Sequence, residues 1–359
     1  MISYGRQHID QTDIDAVTKV LHGDWLTQGP FVEEFEETVA TYVGAKYAIA
    51  FSSATAGLHA CAAAASLSKG KTLYTSPLTF MASANAARYV GASPRLVDIE
   101  ESTWNLDMAQ VPSTADAVMP VHFAGLPVDL ESYDRKSQIV IEDAAHALGA
   151  WTPSGPVGNC AHSDMCCFSF HPVKPITTGE GGMVTTNNPE LAERLRRFRS
   201  HGIVRHPDRG AWFYEISELG FNYRMTDIQA ALGTSQMARL DTFMVRRNQV
   251  AQNYRDLLAD FDIGLPPAAG AGFRHGYHLF PILVRERPHV FDGLRDAGIG
   301  VQVHYVPVHH HPISKDIGLS VGDLPVCDAI YEQLISLPIH MGVTDEIQGQ
   351  VVSELAKLL

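Results

Sequence analysis

The spacing of apolar residues changes several times within the first 66 positions. Residues 10–22 and 31–43 carry apolar side chains at helical spacing, with acidic residues near the start, which predicts two amphipathic helices. Gly23, Gly29 and Pro30 bracket the segment between them, which predicts a loop. Residues 47–51 form a short apolar run typical of a buried strand, and an alanine-rich segment beginning at residue 52 predicts a helix to about residue 66.

Short apolar runs continue to alternate with helical segments as far as residue 199. We predict strands over residues 71–75, 94–97, 117–121, 137–141, 166–170 and 182–185, and helices over residues 83–89 and 189–199. Strands that alternate with helices indicate an α/β fold, with a mostly parallel sheet covered on both faces. Ligands of such sheets bind at the carboxyl ends of the strands.

The C-terminal part of the sequence has a different pattern. Residues 225–260 predict one long helix, and we place a domain boundary within it, near residue 245, so that residues 1–245 form a large domain and 246–359 a small one. A segment rich in Gly, Ala and Pro follows. Further along we predict strands over 277–285 and 299–306, and helices over 288–297, 325–335 and 344–358. This is the pattern of a small α+β unit.

Composition narrows the classes of protein to which the chain can belong. It has 359 residues, with 27 Lys and Arg against 40 Asp and Glu, a formal net charge of −13. This acidic balance argues against general binding to nucleic acid or to an anionic membrane. The five cysteines have no regular spacing, and no stretch approaches the roughly 18 apolar residues of a membrane span or the pattern of a signal peptide. We therefore expect reduced thiols and a cytoplasmic protein.

Lys174 is the most informative candidate for chemistry. It follows a predicted strand and precedes a glycine-rich turn, in the segment SFHPVKPITTGEGG that spans residues 169–182. An ordinary surface lysine is the simpler interpretation, but these aromatic, Pro and Gly neighbours are unusual for a solvated face. A desolvated lysine has a lowered pKa and can form a Schiff base with a carbonyl, which suggests pyridoxal phosphate (PLP) as cofactor.

PLP makes three further demands, and each has a candidate residue in the sequence. Asp143, at the end of a predicted strand, can pair with the pyridine nitrogen, although it could equally cap a following helix. The start of a helix at Ser53, Ala54 and Thr55 offers amides and hydroxyls to a phosphate, or only ordinary capping. Phe80 can stack on the ring or belong to the core. Together, and in this order, the four signals are much stronger than any one alone.

The sequence resembles the DegT/StrS-type family of PLP-dependent aminotransferases that act on nucleotide sugars. The resemblance covers nearly the whole chain and is carried by WLTQGP (25–30), SSAT (52–55), EDAAHALG (142–149), the run 169–182, GFNYRMTDIQAALG (220–233) and VHYVPVH (303–309). It implies the aspartate-aminotransferase fold (PLP fold type I), with a large domain built on a mixed, mostly parallel sheet and a small α+β C-terminal domain. It also implies a homodimer with shared active sites.

The same resemblance implies a role for each matching position. Lys174 would be the Schiff-base lysine and proton shuttle, and Asp143 the partner of the pyridine nitrogen. The other implied cofactor contacts are Ser53, Ala54, Thr55, Phe80, His146, Ser169 and, from the neighbouring subunit, Asn222. The implied contacts to the nucleotide sugar are Tyr4, Leu26, Thr27, Tyr305 and His309.

Within the family, the chain is most similar to the branch that serves pseudaminic acid biosynthesis. This likeness is carried by PLTF (77–80), PVHFAG (120–125) and the run 170–182. It implies the substrate UDP-2-acetamido-2,6-dideoxy-β-L-arabino-hex-4-ulose, aminated at C4 with L-glutamate as donor. The alternatives are an aminotransferase for another UDP- or dTDP-4-keto-6-deoxy sugar, a PLP sugar dehydratase, and a regulator without turnover.

Three consecutive histidines, residues 309–311, depart from the pattern of the family. With His304 they could suggest a metal site. We expect no metal, because no cysteine or carboxylate cluster accompanies them in the sequence.

Overall fold

Helices and strands alternate through the N-terminal half, as the sequence predicts. The computed structural model describes residues 1–136 and 138–359. The strands are β1 (Tyr47–Phe51), β2 (Thr72–Thr75), β3 (Ser93–Leu96), β4 (Ala117–Met119), β5 (Ile139–Asp143), β6 (Trp151–Thr152), β7 (Gly155–Pro156), β8 (Met165–Ser169), β9 (Gly182–Thr186), β10 (Ile203–Arg205), β11 (Tyr214–Ile216), β12 (Phe280–Leu283) and β13 (Leu334–Leu337).

Seven of these strands form one mixed sheet in the spatial order β1, β9, β8, β5, β4, β2, β3. The five strands from β8 to β3 pair in parallel. β9 runs antiparallel to both of its neighbours, β1 and β8. The expected mixed, mostly parallel sheet is therefore confirmed, and its parallel strands end at one common edge.

The helices are α1 (Gln11–Leu21), α2 (Pro30–Val43), α3 (Ala54–Ala64), α4 (Ala82–Tyr89), α5 (Pro189–Arg199), α6 (Asp227–Met237), α7 (Leu240–Leu257), α8 (Arg287–Asp296), α9 (Pro325–Gln333) and α10 (Asp345–Ala356). Those of the N-terminal part cover both faces of the large sheet, with α3 and α5 in one apolar cluster and α2 and α6 in the other. Local chemistry sets several boundaries. A capping box of Asp10 and Asp13 begins α1, and another, of Thr226 and Gln229, begins α6.

The alternation of side chains along β1 shows why the sheet needs cover on both faces. Ile49 and Phe51 belong to the apolar cluster that includes α3 and α5, whereas Ala48 and Ala50 belong to the cluster that includes α2 and α6. Successive strand residues point to opposite faces of the sheet, so a strand made of apolar residues must be covered on both faces. Every residue of β8 is buried in the same way.

The C-terminal residues form their own apolar cluster. It joins the later part of α7 to α8, α10, β12 and β13, and Ile2 packs against it. The predicted domain boundary near residue 245 falls inside α7, which runs without interruption from Leu240 to Leu257.

Three element predictions are wrong. Residues 225–260 form two helices, α6 and α7, because the chain leaves helical geometry at Arg239. Residues 299–306 make only isolated bridges, from Ile299 to Ile2 and from Gln302 to Ser336. The predicted helix 325–335 ends at residue 333, and β13 follows it and pairs with β12.

The strand predicted from residue 137 is observed from Ile139, and residue 137 itself lies outside the described residues.

All five cysteines are free and buried. Burial raises the pKa of the Cys160 thiol to about 12, which keeps it protonated. None of the helices described here has the length and apolar character needed to cross a membrane.

Candidate active site

A cavity of about 410 Å³ lies at the edge where β1, β2, β5 and β8 end. Its wall brings together most of the residues predicted to carry chemistry. These are Tyr4, Ser53, Ala54, Thr55, Phe80, Asp143, His146, Ser169, Lys174 and Tyr305. The side chains come from segments far apart in sequence, and the strand ends gather them because parallel strands present their carboxyl ends on one side.

Lys174 supplies the amine of this cavity. It lies in a turn after β8, where its backbone N–H donates to the carbonyl of His171 at 2.9 Å. Burial of the amine lowers the pKa of Lys174 to about 7, an effect to which Arg247 adds and which the carboxylate of Asp143 opposes. In a large fraction of the molecules the Lys174 amine is therefore uncharged near neutral pH and can act as nucleophile or base.

Asp143 supplies a buried carboxylate at the end of β5, with 5% of its surface exposed. Its Oδ2 accepts a hydrogen bond from Ser83 Oγ at 2.6 Å, and its Oδ1 accepts from the Ala145 N–H at 3.1 Å. Residues 144–147 form a turn and not the helix that Asp143 could have capped. Hydrogen bonds from a hydroxyl and an amide stabilise the charged form of such a carboxylate.

The start of α3 forms a cradle of backbone amides. Ser53 is the N-cap, and its Oγ accepts from the Ala56 N–H at 3.1 Å. The first amides of a helix have no partner within it, and the helix dipole favours an anion there. Gly182 begins β9 beside the cradle, where a Cβ atom would lie 2.6 Å from the backbone of Ser53 and Ala54. Ordinary capping is thus observed, and the neighbouring amides still face a space suited to a phosphate.

Aromatic rings form another part of the wall. Phe80 is 61% exposed, which is unusual for a core residue, and its ring centre lies 6.0 Å from that of Tyr305. The hydroxyl of Tyr305 lies 2.9 Å from His146 Nε2. Burial holds the pKa of His146 well below its ordinary value, so this imidazole is neutral at pH 7. A flat ligand could stack against Phe80, with polar atoms of the other rings around it.

Four predicted site residues do not line this cavity. The carbonyl of Leu26 accepts from the Asp227 N–H at 3.0 Å, and Thr27 forms a bridge with Thr226, so both lie beside the start of α6. Asn222 is exposed and forms a bridge with Ser200. His309 is 6% exposed. The predicted roles of these four stay predictions.

The expectation that no carboxylate accompanies the consecutive histidines is wrong. Asp328 of α9 places Oδ1 at 2.9 Å from His309 Nε2 and at 2.7 Å from His310 Nε2. Two imidazoles and a carboxylate are a set of groups that could hold a metal ion. The two N–O distances are those of hydrogen bonds, so the cluster ties the loop to α9.

Several residues of the site were not found from the sequence. Ser83 hydrogen-bonds Asp143, and His278 Nε2 lies 3.2 Å from Lys174 Nζ. His304 and Glu180 also line the cavity. A serine three positions beyond Phe80 could have been suspected as a partner of Asp143. His278 has no such signal, because only the packing of the C-terminal part against the sheet brings it to the lysine.

Comparisons with known proteins agree with this geometry. Residues 7–356 match the model of the DegT/DnrJ/EryC1/StrS aminotransferase family. The chain is 38% identical over 355 residues to the UDP-4-amino-4,6-dideoxy-N-acetyl-beta-L-altrosamine transaminase of Campylobacter jejuni, covering 95% of this chain and 93% of that protein. It is 36% identical to the GDP-perosamine synthase of Caulobacter vibrioides, covering 100% and 98%.

Solved structures show the same likeness. Helicobacter pylori PseC, an aminotransferase of pseudoaminic acid biosynthesis, matches with a TM-score of 0.91 at 29% identity, over 99% of this chain and 98% of that one. The PLP form of the sugar aminotransferase Spr1654 of Streptococcus pneumoniae matches with a TM-score of 0.91 at 27% identity, over 100% and 99%. The chain belongs to the DegT/DnrJ/EryC1/StrS aminotransferase family, as its motifs predict.

Proposed function

We propose that this aminotransferase uses PLP to transfer the amino group of L-glutamate to C4 of UDP-2-acetamido-2,6-dideoxy-β-L-arabino-hex-4-ulose. The product would be UDP-4-amino-4,6-dideoxy-N-acetyl-β-L-altrosamine. The observation that carries the proposal is the pairing, in one cavity, of a desolvated Lys174 amine with the buried carboxylate of Asp143. The likeness to the C. jejuni transaminase and to PseC supports the choice of sugar.

The residues of the cavity fit PLP group by group. When bound, PLP would supply an aldehyde that condenses with amines and a ring that takes up electrons from the substrate. Asp143 would pair with the ring nitrogen, because its carboxylate lines the cavity and is oriented by hydrogen bonds from the Ser83 hydroxyl and the Ala145 N–H. The amides at the start of α3, with the Ser53, Thr55 and Ser169 hydroxyls, would hold the phosphate.

Lys174 would hold the cofactor at rest and move the proton during turnover. Once the incoming amine has released it, Nζ can take the proton from Cα of glutamate and pass it to the cofactor. A pKa of about 7 suits both halves of that task, since the amine can accept and return a proton near neutral pH. In the second half-reaction the same amine would act in the opposite direction on C4 of the sugar.

Assembly as a homodimer is part of this proposal. Asn222 would reach the phosphate bound to the neighbouring subunit, in line with its exposure and its position outside this chain's own cavity. Leu26 and Thr27, which lie beside the start of α6, are proposed contacts of the sugar nucleotide. Tyr4 and Tyr305 line the cavity and are proposed contacts as well.

A panel of UDP-, dTDP- and GDP-linked 4-keto-6-deoxy sugars tests the substrate. The purified enzyme is given PLP and L-glutamate, and 2-oxoglutarate release and product stereochemistry at C4 are measured. We expect the UDP-N-acetyl sugar of L-arabino configuration to give the highest kcat/KM. A higher value with a GDP-linked sugar would move the assignment toward the activity named for the C. vibrioides relative.

Lys174→Ala is the control for the reaction class. It removes the amine, so we expect turnover and the visible absorbance of the lysine-bound cofactor to disappear together. Retained transamination in this variant would contradict the proposed chemistry. The presence of Lys174 also disfavours the alternative of a sugar dehydratase, since family members that deoxygenate without transamination replace that lysine.

A further inference from the structure

His278 contacts the amine of Lys174 from outside the predicted site. It lies two residues before the start of β12, and its Nε2 lies 3.2 Å from Lys174 Nζ. The side chain is 3% exposed. Its other ring nitrogen, Nδ1, is buried and has no hydrogen-bond partner among the described residues. An unpaired buried polar atom destabilises a protein, so packing alone does not account for a histidine at this position.

The backbone of His278 is fixed by a second buried residue. Arg247 of α7 is 2% exposed, and its guanidinium donates to the carbonyls of Tyr277 at 3.1 Å, His278 at 3.4 Å and Ile339 at 3.2 Å. The ring of His278 also packs against that of His146, with 4.6 Å between centres. These contacts fix the position of the imidazole, with Nε2 directed at the Lys174 amine.

We propose that His278 is a positioning residue for Lys174, whose Nε2 holds the released lysine amine at the wall of the cavity. The inference rests on the proposed role of Lys174. A free lysine side chain has four rotatable carbon–carbon bonds and many rotamers, so without a partner its amine would leave the reacting carbon. Lys174 in its ammonium form, after taking a proton, donates one N–H to the lone pair of Nε2, and no bond is broken in this contact.

The surroundings keep His278 neutral and able to accept that hydrogen bond. Burial holds the pKa of His278 well below its ordinary value, and Lys174, His146, Arg247 and His304 add to the effect. The carboxylate of Asp143 acts on Lys174 in the opposite sense and favours the ammonium. The proton therefore resides on the lysine, and the imidazole acts as an acceptor.

Two amide substitutions separate this role from simple packing. His278→Gln places an amide near the position of Nε2, and His278→Asn places one near Nδ1, so only the first can reach Lys174. The readout is the rate at which Lys174 in the cofactor-free protein reacts with acetic anhydride, followed across pH by mass spectrometry. The pH dependence of visible absorbance in the PLP-loaded protein is the second readout.

We expect half-maximal reactivity of wild-type Lys174 near pH 7. His278→Asn should lower that midpoint by about one pH unit, because the ammonium loses an acceptor, and His278→Gln should restore it. His275→Asn is the matched control, since His275 is a buried histidine of the same segment that does not line the cavity, and an amide near Nδ1 can still accept from the Tyr277 N–H. Its Lys174 midpoint should equal that of the wild type.

The proposal would be overturned if the midpoint of Lys174 reactivity were the same in the wild type, His278→Asn and His278→Gln. An equal shift of that midpoint in both variants would also overturn it. A measurement on unsubstituted His278 guards against unfolding of the variants. With ¹⁵N-labelled histidine, the Nε2 resonance of His278 should move near pH 7 in the wild type and stay constant in Lys174→Ala. A resonance that titrates alike in both proteins would also overturn the proposal. Activity on the sugar substrate enters neither readout, so failure of the substrate assignment stays distinguishable.

Discussion

A short series of hydroxyl groups leads to the carboxylate of Asp143. Ser83 Oγ donates to Asp143 Oδ2 at 2.6 Å, and Thr79 Oγ1 lies 2.9 Å from Ser83 Oγ. All three residues are buried. If Ser83 donates to the carboxylate, its lone pair accepts from Thr79, so the two hydroxyls point in one direction. The series stabilises a negative charge at the place where a protonated pyridine would need one.

Ser83→Ala should weaken catalysis without unfolding the enzyme. Loss of a hydrogen bond to a charged group costs about 1.5–3 kcal/mol, and Ser83 is one of the two donors to the Asp143 carboxylate. We expect kcat to fall by about tenfold, because the carboxylate that would pair with the ring nitrogen loses the donor that orients it. Steady-state rates between pH 6 and 9 check this. Ser76→Ala, at a buried serine bonded to the Leu78 N–H, should keep its rate, and an equal loss there would contradict the argument.

How much of the site could be predicted depended on where each residue lies in the chain. Strands end at or shortly before Asp143, Lys174 and the start of α3. The rule that the ends of parallel strands converge was therefore enough to predict that these residues lie together. His278 could not be found in this way. Its approach to Lys174 depends on the buried guanidinium of Arg247, a contact between segments that sequence patterns do not connect.

At the level of elements, the approach of β9 to α3 forms the anion cradle. Gly182 starts β9 at the point where it meets the backbone of Ser53 and Ala54, and a Cβ atom there would lie 2.6 Å from both. Real side chains do not tolerate such a distance to backbone atoms. Either β9 or the first turn of α3 would have to move, and the amides at that turn would move with it.

Gly182→Ala should therefore weaken cofactor binding. Overpacking of this kind costs about 1–3 kcal/mol, so we expect the Kd for PLP to rise by about 5-fold to 150-fold. Absorbance titration of the cofactor-free protein with PLP measures it. Gly349→Ala is a suitable control, because a Cβ on this α10 residue meets nothing within 4 Å. Unchanged affinity in Gly182→Ala would show that the close approach is not needed.

Two of the three wrong element predictions share one cause. No glycine or proline marks the break between α6 and α7; Arg239 stands there and forms ion pairs with Asp10 and Asp13 of the α1 cap. Residues 299–306 have strand-like alternation but find single bridging partners only. In both places long-range contacts decide the conformation, whereas segments with their own caps and apolar periods, such as α1 and β1, matched closely.

The β10–β11 hairpin leaves large apolar side chains in water. Trp212 is 78% exposed and Leu219, just after β11, is 82% exposed, with Tyr214 and Ile216 between them. Groups of exposed apolar side chains commonly mark interfaces between proteins. The hairpin lies immediately before Asn222, the residue proposed to reach the neighbouring subunit, so we infer that a second copy of the chain covers it.

Leu219→Lys should dissociate the proposed dimer. Burying a leucine contributes about 1.5–3 kcal/mol, and a symmetric dimer loses it twice, so we expect the dimer Kd to rise at least about 100-fold. Sedimentation velocity across a concentration series measures this. Leu359→Lys changes an exposed leucine at the end of the chain and should leave assembly unchanged. Equal behaviour of both variants would place the interface elsewhere.

On the scale of the whole molecule, a net charge of −13 must coexist with anionic ligands. The cavity meets this demand locally, through helix-end amides and the Lys174 amine. Histidines surround that amine but add no positive charge, because burial lowers the pKa of His146, His278 and His304. Their neutrality has a consequence for the stability of the whole fold.

The folded protein should lose stability as pH falls below about 6.5. Burial lowers the pKa of His275 to about 3, and burial with the nearby Lys174 does the same for His304. In the unfolded chain both titrate at about 6.5, so below that pH the unfolded state binds more protons. The stabilisation from each neutral imidazole is complete above pH 6.5 and declines as pH falls toward 3. At pH 5 the loss is about 2 kcal/mol for each histidine.

The pH dependence of unfolding in two variants isolates this contribution from the change in net charge. His275→Leu removes one buried titrating group, so its unfolding free energy should fall by about 2 kcal/mol less than that of the wild type between pH 7.5 and pH 5. His289→Gln removes an exposed imidazole on α8 and should keep the wild-type slope. Urea unfolding of the wild type and of both variants at the two pH values gives the three differences. A wild-type protein as stable at pH 5 as at 7.5, with His275→Leu showing the same slope, would mean that folding does not lower the pKa of His275 and would contradict the prediction.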